Sequence, residues 1–130
     1  MDLYAENILD HYRNPRNFGS LKGCDHKAKD ANPMCGDKLV MELKVTKSGK
    51  ISNAMFHGIG CAISQAAASM LTEKLKGMSL TQAGKISNDD IYKMLAVPIS
   101  QSRVKCALLG LSTLKKALAG KKKALGSKNI

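Results

Sequence analysis

Apolar residues follow a helical period at both ends of the chain and alternate in between. Leu3, Tyr4, Ile8, Leu9 and Tyr12 share helical spacing, which predicts a helix over 2–13 with Asp2 near its start and Asn14-Pro15 as its stop. Turn-forming residues fill 14–37 (Pro15, Asn17, Gly19, Gly23, Asn32, Pro33, Gly36), with a short strand placed at 24–29. In 38–46, Leu39, Met41, Leu43 and Val45 alternate with Lys38, Glu42, Lys44 and Thr46, and only Val40 breaks the pattern. Residues 47–50 are a short Gly-containing connection, and 51–57 read as the returning strand of an antiparallel hairpin.

Beyond residue 61 the pattern is helical. Ile63, Ala66, Ala67, Met70, Leu71 and Leu75 line one stripe of a helix over 62–76 that ends at Gly77. Ser79 with Gln82 and Ser87 with Asp90 fit capping boxes opening two short helices, the second stopping before Pro98. A last helix over about 102–119 is expected to bury Val104, Ala107, Leu108, Leu111 and Leu118. Strands first and helices afterwards predict an α+β fold, a small antiparallel sheet of about three strands packed against helices on one face. Residues 1–120 are expected to form one domain, with 121–130 as a basic C-terminal tail.

Composition narrows the function. With 130 residues, 44% of them hydrophobic, the chain is long enough to bury a core without staples. The absence of Trp and the presence of only five aromatics argue against a stacking platform for single-stranded nucleic acid. Met1 to Glu6 lack the basic start and apolar core of a signal peptide, and residues 54–71 are too broken by polar residues and glycine to span a membrane. A cytoplasmic location with no membrane partner is the expectation. In a reducing compartment, four cysteines are ligands, nucleophiles or core fillers rather than disulfides. The net charge of +11 is uneven: residues 103–130 hold eight basic and no acidic side chains. That excess is either a solvated helix end with a lysine tail or a handle for an acidic partner or nucleic acid, and charge alone does not separate these.

The cysteines are Cys24, Cys35, Cys61 and Cys106, with no C-x-x-C among them. Cys35 lies in Pro33-Met34-Cys35-Gly36-Asp37, just before the strong strand. Cys61 ends the loop Gly58-Ile59-Gly60-Cys61 where a long helix begins, and Cys106 follows Arg103-Val104-Lys105 near the start of the last helix. A thiolate at a helix N-terminus is stabilised by unpaired backbone N–H groups and the helix dipole, and Lys105 adds positive charge beside Cys106. Soft thiolates select zinc, copper(I) or iron–sulfur chemistry. Each cysteine also has a plain reading as a small apolar filler, which is the preferred one for Cys24. His11 and His26 read as structural or solvated, and His57, four residues before Cys61, is a weaker candidate ligand. Asp37 is either a turn residue or a hard ligand two residues from a candidate thiolate.

Taken together, Tyr4-Ala5-Glu6-Asn7-Ile8-Leu9-Asp10-His11-Tyr12, Asn14-Pro15-Arg16-Asn17, Cys35-Gly36-Asp37, the Gly58 to Ser64 loop and Lys105-Cys106-Ala107 resemble the NifU/IscU family of iron–sulfur cluster assembly scaffolds, including its SufU branch. The resemblance runs almost end to end and implies a SufE/IscU-like fold. It implies that Cys35, Cys61 and Cys106 receive sulfur as persulfide from a cysteine desulfurase, with Cys106 the first acceptor. They would then assemble a [2Fe–2S] cluster from Fe²⁺ and hand it to apo iron–sulfur acceptor proteins. Asp37 would be the carboxylate of the site, with Zn²⁺ held by Cys35, Asp37, Cys61 and Cys106 in the cluster-free form.

Two departures bear on this. Lys105 stands where many IscU-type members have His, as in SufU-type members, and a protonated lysine is a poor fourth ligand. The 45-residue spacing from Cys61 to Cys106 leaves no room for the usual SufU insertion. The leading reading is a scaffold and transfer protein rather than a turnover enzyme, with a homodimer as a further expectation. The alternative is a zinc-dependent SufU-type sulfurtransferase. A third reading, a basic nucleic-acid-binding module with a structural metal, rests only on the charged C-terminal segment and has no accompanying motif.

Overall fold

The computed structural model describes residues 3–34 and 36–120, without the side chains of residues 3–5. Asp2, Cys35 and the 121–130 tail, each singled out above, lie outside the described residues. The elements in chain order are α1 (Leu3–Arg13), β1 (His26–Asn32), β2 (Asp37–Val45), β3 (Ile51–Ile59), α2 (Ala62–Leu75), α3 (Leu80–Gly84), α4 (Asn88–Leu95), a 3₁₀ turn (Gln101–Arg103) and α5 (Val104–Ala119). The sheet is antiparallel in the order β1-β2-β3, as an α+β reading requires.

Period-2 alternation decides which face of the sheet is buried. Leu39, Met41 and Leu43 of β2, with Ala54 and Phe56 of β3, point inward and are almost fully buried. Cross-strand pairing sets Met41 opposite Phe56 and Leu43 opposite Ala54, so their side chains form one apolar layer. On the outer face Glu42 is nevertheless buried, because Leu21 donates its backbone N–H to it at 2.6 Å and His57 Nε2 lies 3.2 Å away. Lys27 Nζ completes the arrangement at 3.8 Å.

α5 lies against β1 and β2, α2 against β3, and α1 covers the far side of α2. Sandwiched in this way, α2 is buried nearly all round, and its small residues Ser64, Ala66, Ala67, Ala68 and Ser69 suit that crowding. A Cβ at Gly110 of α5 would lie 3.3 Å from Ala68 Cα, so glycine there permits the close crossing of α5 and α2. Leu71, Leu75, Leu95 and Leu114 fill the space between elements, and burial of each contributes about 1.5–3 kcal/mol. Both capping boxes are present, Ser79 with Gln82 and Ser87 with Asp90.

Two departures from the sequence reading have physical causes. β1 runs over His26–Asn32 rather than 24–29, since three of its four inward positions, His26, Asp30 and Asn32, are polar and find partners on α5 instead of alternating apolar packing. His26 Nδ1 lies 3.0 Å from the Ala117 carbonyl, and Asp30 meets both Lys116 Nζ, at 2.9 Å, and the Ser112 hydroxyl. The buried face of α5 is also turned. Leu109, Gly110, Leu114 and Ala117 join Ala107 and Leu111 inside, while Val104, Leu108 and Leu118 are only partly covered. α5 packs against the sheet and α2 at once, so its buried arc is wider than a single stripe.

Candidate metal centre

Three of the expected site residues meet at one end of the sheet. Asp37 is the first residue of β2, Cys61 is the N-cap of α2, and Cys106 is the third residue of α5. Their ligand atoms all lie within 4.8 Å of one another. Ligands of a tetrahedral zinc at about 2.3 Å sit roughly 3.7 Å apart, so small side-chain shifts would close this group on an ion.

Local chemistry explains why each side chain is available. The Cys61 side chain makes no capping hydrogen bond, so its sulfur is not spent on the helix it begins. The Cys61 carbonyl accepts from Gln65 N–H at 3.0 Å and from the Ser64 hydroxyl at 3.1 Å, and Gln65 Nε2 donates to the Gly58 carbonyl at 3.3 Å. These bonds fix the loop from 58 to 61 against the first turn of α2. Asp37 is 3% exposed, and its Oδ2 has no hydrogen-bond partner among the described residues. A buried carboxylate oxygen without a donor is costly, and a cation shared with two sulfurs would offset that cost. The donor set of one carboxylate and soft thiols therefore fits zinc or iron.

Positive potential surrounds the group. The N-termini of α2 and α5 both open onto it, with their unpaired N–H groups and dipoles. Arg103, just before α5, is exposed and lies beside the sulfurs of Cys61 and Cys106, and their proximity, that of Cys61 first, holds the guanidinium's proton even more firmly than in an ordinary arginine. Lys105 is exposed at the position next to Cys106 on the helix.

The remaining candidates fall elsewhere. Cys24 is buried and does not join the group. His57 pairs with Glu42 on the outer face of the sheet, His11 Nδ1 lies 2.8 Å from Ser69 Oγ, and His26 contacts the end of α5. Cys35 lies outside the described residues, but Asn32 and Asp37 are cross-strand partners at the base of the loop that carries it. Sequence reasoning passed over Arg103 and Asn32 as site residues. Arg103, one turn before Cys106, carried a legible signal, whereas the contact of Asn32 with Cys106 spans 74 residues and had none.

Comparison with known proteins agrees with this geometry. The family described as NifU-like N-terminal domain matches residues 3–125. The iron–sulfur cluster assembly enzyme IscU of Drosophila melanogaster is 41% identical over 120 residues, covering 90% of this chain and 77% of that protein. The iron–sulfur cluster assembly scaffold protein IscU of Haemophilus influenzae is 38% identical over 131 residues, covering 95% of this chain and 98% of that one. A crystal structure of a candidate iron–sulfur cluster assembly scaffold protein for the SUF system, from Fervidobacterium islandicum AW-1, superposes with a TM-score of 0.72 at 26% identity, covering 87% of this chain and 94% of the other.

Proposed function

The chain belongs to the NifU-like N-terminal domain family, and from that premise we propose that it is an iron–sulfur cluster assembly scaffold: it builds a [2Fe–2S] cluster as cargo and passes it on. The observation that carries this reading is the convergence of Asp37, Cys61 and Cys106 within 4.8 Å at two helix N-termini. Cys35, two residues before Asp37, supplies the third thiolate. Residues 1–120 form the working domain and 121–130 a basic tail, in a cytoplasmic protein.

Sulfur arrives as the persulfide of a cysteine desulfurase. The Cys106 thiolate attacks the terminal sulfur, a new S–S bond forms on Cys106, and the desulfurase cysteine leaves as a thiolate. The helix N-termini and Arg103 stabilise negative charge at this point. Asp37, a harder oxygen ligand among thiolates, is the weak point from which the cluster is released to apo acceptor proteins. Between cargoes, Cys35, Asp37, Cys61 and Cys106 would hold Zn²⁺. In this role the protein is a carrier rather than a turnover enzyme.

The test is anaerobic reconstitution of metal-stripped protein with Fe²⁺, cysteine and a desulfurase. A [2Fe–2S] visible spectrum that is lost in Cys35→Ser, Cys61→Ser and Cys106→Ser is the expected result. No cluster on reconstitution, together with acceleration of the desulfurase by the zinc form, would overturn it in favour of a zinc-dependent sulfurtransferase.

A further inference from the structure

Asn32 is buried, 5% exposed, at the last position of β1. It contacts Asp37, the two neighbours of Cys35, and Cys106. Its backbone pairs with Asp37 across the β1–β2 ladder. Its main-chain carbonyl accepts from Gly36 N–H at 2.9 Å and its Oδ1 accepts from Met34 N–H at 3.2 Å, so the residues on either side of Cys35 are both tied to Asn32. Its Nδ2 lies 3.9 Å from Cys106 Sγ. The orientation of the amide follows from this chemistry, since only an oxygen can face the Met34 N–H, which leaves the NH₂ directed at sulfur.

The geometry points to Asn32 as a positioning residue of the metal centre: it sets the separation between the Cys35 loop and Cys106 and donates an N–H···S hydrogen bond that tunes the Cys106–metal bond. This rests on the reading of Cys106 as a metal ligand. A hydrogen bond to a ligating sulfur draws off part of its electron density. The sulfur-to-metal charge-transfer energy therefore rises, and the thiolate is held in its ligating direction.

Two variants separate the two jobs of the side chain. Asn32→Ser keeps an oxygen that can accept from the N–H two residues on, so the turn before Cys35 survives, but it is too short to reach sulfur. Asn32→Asp keeps the same turn acceptor and sets an oxygen against the sulfur in place of the donor. Full-length protein is titrated with Co²⁺ as the probe, and Zn²⁺ affinity is read by competition with a chelator. Either variant suffices if the other does not fold, and thermal unfolding reports that.

The expected result is a thiolate-to-Co²⁺ band moved to longer wavelength and an affinity for Zn²⁺ lower by about 10- to 100-fold, the usual effect of removing such a partner. A folded variant with the wild-type band and wild-type affinity overturns the role of Asn32. A wild-type protein that gives no thiolate-to-Co²⁺ band, or a Cys106→Ser variant with an unchanged band, overturns the ligand assignment instead.

Discussion

Gly60 and Ser64 are packed so closely that a Cβ on residue 60 would run into the Ser64 hydroxyl and sit 3.3 Å from Asp37 Cγ. Ser64 is fully buried and bound to the Cys61 carbonyl, so it has nowhere to retreat. Gly60→Ala is therefore expected to push Asp37 and Cys61 apart while leaving the core intact. Chelator competition should show at least a ten-fold loss of Zn²⁺ affinity, because ligands displaced by a few tenths of an ångström no longer meet one ion. Wild-type affinity in Gly60→Ala would show that the close approach is unrelated to metal binding.

The cysteines should divide into two classes. Cys61→Ser and Cys106→Ser, with Cys35→Ser, should fold and lose cluster assembly. Cys24→Ser should keep assembly and lose about 1–2 kcal/mol of stability by burying a hydroxyl in place of a thiol. Reconstitution spectra and thermal unfolding of the four variants check this, and an assembly-deficient Cys24→Ser would revise the ligand set.

Arg103 should govern how long cargo stays. Three thiolates and one carboxylate around a [2Fe–2S]²⁺ core would leave the site negative, and Arg103 lies beside two of the sulfurs. Arg103→Ala should shorten cluster lifetime in chelator several-fold, and Arg103→Lys should restore part of it by keeping the charge without the planar fork. An unchanged lifetime would mean that the guanidinium leaves the site once it is loaded.

His11 should make stability sensitive to mild acid. It joins α1 to α2: Ser69 Oγ accepts from Arg16 N–H at 2.8 Å and lies 2.8 Å from His11 Nδ1, which suits a neutral ring. Burial first, then the nearby Arg16 charge, lowers the pKa of His11, against an opposing pull from Glu73. The unfolded chain thus binds the proton more readily than the folded one. The stability contributed by the neutral ring is complete above the unfolded value of about 6.5 and is lost as pH falls through the lower folded value. Denaturant midpoints measured across that window should fall with pH in the wild type and be flatter in His11→Gln.

Legibility in the sequence followed the physical origin of each feature. The β2–β3 hairpin, α2 and the two capping boxes were readable because alternation, helical period and cap chemistry are local. The termini that carry Cys61 and Cys106 were readable for the same reason. β1 was displaced because its inward residues His26, Asp30 and Asn32 are polar and find their partners on α5, about 70 to 90 positions later in the chain. The buried face of α5 was turned because it is set by two neighbours rather than one. That Asp37, Cys61 and Cys106 meet was suggested by a family resemblance and not by spacing, which contains no metal-binding pattern. The Asn32 clasp and the Gly60–Ser64 contact depend on distances that no one-dimensional pattern encodes.

The three converging side chains come from β2, the N-cap of α2, and α5, and α5 packs against both of the other elements. A bound ion or cluster therefore acts as a reversible cross-link among them, adding about 2.7 kcal/mol of stability at a hundred times its dissociation constant. Loaded protein should be the stiffer form at this end of the sheet, and delivery should slacken it. A partner touching only the rim of the site would then meet a stiffer surface on a loaded molecule than on an empty one.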